Sequence, residues 1–97
     1  MLNIILDGNL MTDRNATHDL LAESFHFPDY YGRNLDAFYD LLSAYPEEIH
    51  VIVIHEQQMF SVLGKYGQLL LKTLQDGAAV NAKIKLSIFS EKNENNS

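Results

Sequence analysis

Ile49-His50-Val51-Ile52-Val53-Ile54 is the stretch on which the fold turns. Five of its six residues are β-branched, and charged residues bound it at Glu47-Glu48 and Glu56. A short apolar run of this kind reads as a central strand. Upstream, Leu2, Ile4 and Leu6 alternate with Asn3 and Ile5 until Asp7-Gly8-Asn9 breaks the run, which predicts a first strand ending in a turn. Downstream, Ile84, Leu86 and Ile88 alternate with Lys85, Ser87 and Phe89, which predicts a third.

The segments between the strands have helical spacing. Asn15 to His26 predicts a helix capped by Asn15, with Leu20, Leu21 and Phe25 turned inward and Phe27-Pro28 as its stop. Asp29 to Arg33 reads as a loop. Asn34 caps a second helix that runs to about Ala44 and turns Leu35, Phe38, Leu41 and Leu42 to the core. Glu56 to Leu63 predicts a short third helix stopped by Gly64, and Tyr66 to Ala79 a fourth, with Leu70, Leu71 and Leu74 inward and Gly77 weakening its end. The order is β-α-α-β-α-α-β. Strands separated by helices imply parallel pairing through right-handed crossovers. The expected architecture is therefore α/β, a three-stranded parallel sheet packed with about four helices. One domain is expected over residues 1–90, with 91–97 as a frayed, Asn-rich tail.

Composition narrows the function classes. The chain has 97 residues, 46% hydrophobic and 21% charged, which is an ordinary globular balance. It has no cysteine, so disulfides, thiolate zinc sites and Cys nucleophiles are excluded together. Thirteen acids against seven bases give a net charge of −6, which argues against nucleic acid as a partner. No stretch reads as a signal peptide or membrane span, so a soluble cytoplasmic protein is expected. The charge is uneven. Residues up to Glu56 hold ten acids and two bases, while the remainder holds three acids and five bases. Such asymmetry suggests one acidic face, although an ordinary solvated surface accounts for the charge equally well before motifs are considered.

Asp36 and Asp40 lie one turn apart on the same face of the second helix. Asp36 sits in the first turn, where the helix dipole favours negative charge; Asp40 lacks that support. Tyr39 stands beside Asp40, and Tyr30-Tyr31 precede the helix. Aromatics among uncompensated carboxylates resemble a protein-binding surface, because tyrosine is enriched at interfaces and charge sets encounter and register; core-filling tyrosines and solubilising aspartates fit the same spacing. A catalytic carboxylate pair needs two groups facing each other across a cleft, and two Asp on one helical face line only one wall. The four histidines show no metal-ligand spacing, and no phosphate loop or serine-nucleophile motif is present. No cofactor or metal is expected.

Phe27-Pro28-Asp29-Tyr30-Tyr31-Gly32-Arg33-Asn34-Leu35-Asp36-Ala37-Phe38-Tyr39-Asp40 resembles the barstar family of ribonuclease inhibitors. The family pattern is proline, acid, Tyr-Tyr-Gly, any residue, Asn-Leu-Asp-Ala-Leu, aromatic, Asp. The derived element order also resembles that fold. The resemblance implies a non-catalytic cytoplasmic protein that blocks a basic microbial ribonuclease, one inhibitor to one enzyme. The carboxylate of Asp40 would stand in for a substrate phosphate, with Asp36 as a second charged contact. Tyr30 would pack on a catalytic histidine, and Tyr39 would take the interface aromatic position. Gly32, Asn34 and Leu35 would shape the loop and the helix start, and Asp76 matches a further acidic contact. The expected partner-binding set is Tyr30, Tyr31, Gly32, Arg33, Asn34, Asp36, Tyr39, Asp40, Tyr45 and Asp76. Arg33 stands where the best-known member has an acid, Val80 where it has a second acidic contact, and Tyr39 and Tyr45 where it has tryptophans. Arg33 is expected either to meet an acidic residue of the target or to turn back onto Asp36. Three other readings stay open: immunity protein for a nuclease toxin, a module of this fold with a non-nuclease partner, and a small enzyme or metal-binding protein using Asp36, Asp40 and Asp76.

Overall fold

The computed structural model describes residues 1–90, so the expected tail at 91–97 lies outside the described residues. Strands β1 (Leu2–Asp7), β2 (Ile49–Ile54) and β3 (Ile84–Phe89) form one parallel sheet in the order β1-β2-β3. The helices are α1 (Arg14–Phe25), α2 (Leu35–Ser43), α3 (Glu56–Leu63) and α4 (Lys65–Val80), with a single 3-10 turn at Gly8–Leu10. The expected α/β class and element order are those observed.

The run Ile49–Ile54 is indeed the middle strand. Ile4 is paired in register with Val51, which is paired with Leu86; Leu6, Val53 and Ile88 follow two residues on. Successive strand residues point to opposite faces. The face bearing Ile4, Leu6, Ile49, Val51, Val53 and Ile84 is buried with Leu21 and Phe25 of α1, Phe38 and Leu42 of α2, Met59 of α3, and Leu70 and Leu74 of α4. The opposite face carries Ile5, His50, Ile52, Ile54 and Phe89, half-buried or exposed, with His50 Nε2 and Ser87 Oγ hydrogen bonded at 2.7 Å.

The first helix departs from expectation at its start and on its inner face. Asp13, not Asn15, is its N-cap: Asp13 Oδ1 accepts from Ala16 N–H at 2.7 Å. At the other end His26 closes the helix in the left-handed conformation (φ 57°), and Phe27 N–H donates back to Ala22 O at 2.9 Å. Its buried residues are Thr17, His18, Leu21 and Phe25, so two polar side chains stand in the core stripe, and Leu20 is only partly buried.

Two features fix α2 against α4. Helix α4 runs on through Gly77, and α2 crosses it there so closely that a Cβ built on Gly77 would lie 2.9 Å from Leu42 Cγ. Buried Asn81, just past α4, donates from its Nδ2 to Leu42 O and Tyr45 O, both at 3.1 Å. Leu42 O also accepts from Tyr45 N–H at 3.1 Å, so Asn81 fastens the turn that closes α2 to the end of α4.

Candidate partner-binding surface

The surface begins where α1 ends. Tyr31 N–H donates to Pro28 O at 3.0 Å, closing a turn that sends the two tyrosines in opposite directions. Tyr30 is 80% exposed, whereas Tyr31 is buried. The Tyr31 ring lies 4.8 Å from that of Phe27, and its hydroxyl is hydrogen bonded to His18 Nδ1 at 2.6 Å. Asn34 then starts α2 as expected: its Oδ1 accepts from Ala37 N–H at 2.8 Å, and its Nδ2 donates to Gly32 O at 3.2 Å. Gly32 allows this tight approach, since a Cβ there would lie 3.1 Å from Ala37 Cβ.

Three depressions follow one another over this region and share residues. A hollow of about 170 Å³ is lined by Tyr30, Tyr31, Gly32, Ala37, Asp40 and Leu41. Asp40 also lines a groove of about 530 Å³ between α2 and α4, with Leu35, Asp36, Tyr39, Thr73 and Asp76. Leu35 and Asp36 in turn line a third cleft of about 470 Å³, with Arg14, Asn15, His18, Arg33, Asn34 and Tyr66. Asp40 is thus the residue common to the tyrosine hollow and the acidic groove. Asp36, Asp40 and Asp76 are brought together there from two helices. The Lys72 ammonium reaches Asp76 Oδ1 at 3.5 Å on the exposed side of α4. Such an exposed pair is worth little, so the groove keeps its acidic character. Among the described residues, no group of three or more His, Asp or Glu is placed to hold a metal ion.

Tyr45 is not brought to this surface. Its side chain is buried, its hydroxyl donates to Phe25 O at 2.9 Å, and burial raises its pKa above the usual tyrosine value. Tyr31 is likewise a core anchor. Val80 lies at the far end of α4 and is exposed.

Arg33 turns back, but not onto Asp36. Its Nη1 pairs with Asp19 Oδ1 at 2.9 Å, and its Nη2 donates to Asn15 O at 3.0 Å and Asn15 Oδ1 at 2.6 Å. Its backbone is in the left-handed region, with a φ of 57°. Beside it, the Arg14 guanidinium carbon lies 4.0 Å from the Tyr66 ring centroid.

His18 ties these pieces together, a role that the spacing of the four histidines does not reveal. It is hydrogen bonded by Nδ1 to Tyr31 OH and by Nε2 to Tyr66 OH at 2.7 Å. A neutral imidazole fits both: one ring N–H donates to a hydroxyl, and the other ring nitrogen accepts from the second hydroxyl. Burial first, then the positive charges of Arg33 and Arg14, push the His18 pKa below its ordinary 6.5; Asp19 opposes this. Burial also raises the Tyr31 and Tyr66 hydroxyls above the ordinary tyrosine pKa. The signal was in the register: His18 precedes Leu21 and Phe25 by three and seven residues, the core stripe of α1.

Fold and surface together define a class, a small parallel α/β protein that sets an acidic helix beside an exposed tyrosine loop. The family described as Barstar (barnase inhibitor) matches residues 1–91, and the chain belongs to that family. A relative in Bacillus subtilis (strain 168), named "Putative ribonuclease inhibitor YrdF", is 35% identical over 77 residues, covering 78% of this chain and 85% of that protein. Among the described residues, no helix is long and apolar enough to cross a membrane.

Proposed function

We propose that this protein inhibits a ribonuclease by seating the groove between α2 and α4, with the loop before α2, in the enzyme's cationic cleft, one inhibitor to one enzyme, with no catalysis of its own. The observation that carries this reading is the convergence of Asp36, Asp40 and Asp76 on one groove that shares Asp40 with the hollow under exposed Tyr30. A cleft that holds RNA must be cationic, and a shape-matched acidic surface competes for the same groups. Asp40 lies at the centre of the surface and takes the place of a substrate phosphate. Asp36 and Asp76 flank it, and Tyr30 and Tyr39 supply aromatic contact. Gly32 and Asn34 shape the loop. Tyr31 and Tyr45 act from beneath, by holding the loop and the end of α1 in place. Family membership and the inhibitor name of the Bacillus relative support the reading. The cytoplasm of the nuclease-producing cell is the proposed place of action.

The test is a titration of RNA cleavage by a barnase-type ribonuclease with wild-type and Asp40→Ala protein. Loss of a central, desolvated charge contact weakens inhibition by at least about 2 kcal/mol, roughly thirtyfold. Stability should stay within about 0.5 kcal/mol, because Asp40 is exposed and makes no side-chain ion pair among the described residues. A variant that inhibits as well as wild type removes Asp40 from the centre of the interface.

A further inference from the structure

The cleft beside the acidic groove has the opposite sign. Arg14 and Arg33 line it with Asn15, Asn34 and Tyr66, and it touches the groove through Leu35 and Asp36. A surface that only met cationic groups would gain nothing from two guanidiniums at its edge, since like charges facing each other at an interface cost several kcal/mol.

Both arginines are held rather than loose. Arg33 carries a left-handed backbone, which is uncommon outside Gly, Asn and Asp and costs of order 1–3 kcal/mol. Its contacts with Asp19 and Asn15 account for three of the five N–H donors of its fork. Arg14 lies over the Tyr66 ring and makes no ion pair among the described residues. Tyr66 is in turn fixed by His18. The cleft's own carboxylate is Asp36, at the boundary with the groove, while Asp19 is engaged by Arg33 and does not line it. Arg14 offers its whole fork, which can take a carboxylate bidentately, while Arg33, with Nη2 spent on Asn15 and Nη1 shared with Asp19, adds positive charge and single N–H donors beside it.

Resting on the inhibitor reading above, we infer that the Arg14–Arg33 cleft receives an Asp or Glu side chain at the rim of the target nuclease's cationic cleft, and that this contact selects the target. An RNA phosphate is disfavoured, because the polyanion would have to run past Asp36, Asp40 and Asp76. A nuclease with a basic residue at that rim position is repelled, which is how a charge discriminates between partners of otherwise similar clefts.

The experiment uses two purified ribonucleases, barnase and the ribonuclease captured by this protein from the cell that makes it. Inhibition constants are measured at one salt concentration for wild type, Asp40→Ala, Arg14→Glu and Arg33→Glu. Arg14→Glu is the decisive variant, since it loses only the stacking of Arg14 on Tyr66, which a thermal midpoint measured beside wild type reports, whereas Arg33→Glu also sets two acids together at Asp19. Arg14→Glu should weaken inhibition of the captured enzyme at least tenfold and leave that of barnase unchanged or tighter. Replacing the rim Asp or Glu of the captured enzyme by Lys should then restore inhibition by Arg14→Glu. If both enzymes respond alike to Arg14→Glu, or no acidic rim residue couples to it, the selectivity inference falls while the inhibitor reading stands on Asp40→Ala. If wild type inhibits neither enzyme, both fall.

Discussion

Single residues on this surface do two kinds of work, and polarity alone does not sort them. Tyr30 and Tyr31 are adjacent, yet one is exposed and the other anchors the loop through His18. The Asp40 carboxylate has no hydrogen-bond or ion-pair partner among the described residues; His18 has two, both distant in sequence. That dependence gives His18 a pH signature. Its folded pKa is lowered, so below the ordinary value of 6.5 the unfolded chain binds a proton that the folded chain does not. The stability contributed by a depressed base is complete above that value and is lost as pH falls below it toward the folded pKa. Protonation would leave both ring nitrogens as donors and place a cation beside Arg14 and Arg33. Urea unfolding followed from about pH 7.5 down to about pH 5.5 should therefore show falling stability in wild type and a flatter profile in His18→Gln, whose amide keeps one donor and one acceptor. An equal slope in the two proteins would place the pH dependence elsewhere.

At the scale of elements, the groove exists because α2 and α4 approach closely, and Gly77 sets the approach. Alanine at that position gains about 1 kcal/mol of helix propensity. Its Cβ meets fully buried Leu42, and overpacking a filled core costs about 1–3 kcal/mol. The clash outweighs the propensity, so Gly77→Ala should lower stability by up to about 2 kcal/mol and weaken inhibition as α2 shifts. A rise in thermal midpoint with unchanged inhibition would show that Leu42 yields freely. The sequence made Gly77 look like a weak helix end, because helix propensity is local and the crossing helix is not. The same reason separates what was legible from what was not. The apolar runs of β1, β2 and β3 and the Asn34 cap declare themselves within six or seven residues. So does the Asp36–Asp40 face. Asp13 and Asn15 are both good capping residues, and only backbone geometry decides that Asp13 reaches Ala16. His18, Asn81 and Arg33 owe their positions to partners far along the chain or on another element, and a polar residue in isolation reads as surface. Tyr45 lies just beyond α2, but its hydroxyl belongs to Phe25, twenty residues back.

For the whole molecule, charge is the long-range property, and size decides when it is felt. The described residues extend 42 × 27 × 19 Å. At 0.01 M salt the Debye length is about 30 Å, so an approaching enzyme senses the net charge of −6 and the acidic bias of the first 56 residues together. At 0.15 M it is about 8 Å, and only the groove and the Arg14–Arg33 cleft beside it are resolved. Association with a basic nuclease should thus slow by about tenfold or more between these salts, the range that electrostatic steering supplies. The dissociation rate, set by desolvated contacts at Asp40, should change far less. The two-signed surface sharpens this into a test of location. Converting exposed Glu47 or Glu48, outside the groove, to Gln should reduce the low-salt association rate modestly and leave the dissociation rate alone. Asp40→Ala should act chiefly on dissociation at both salts. Stopped-flow association measured across the salt series separates these cases. An association rate that is independent of salt would make the acidic face an ordinary solvated surface, with recognition carried by Tyr30, Tyr39 and shape alone.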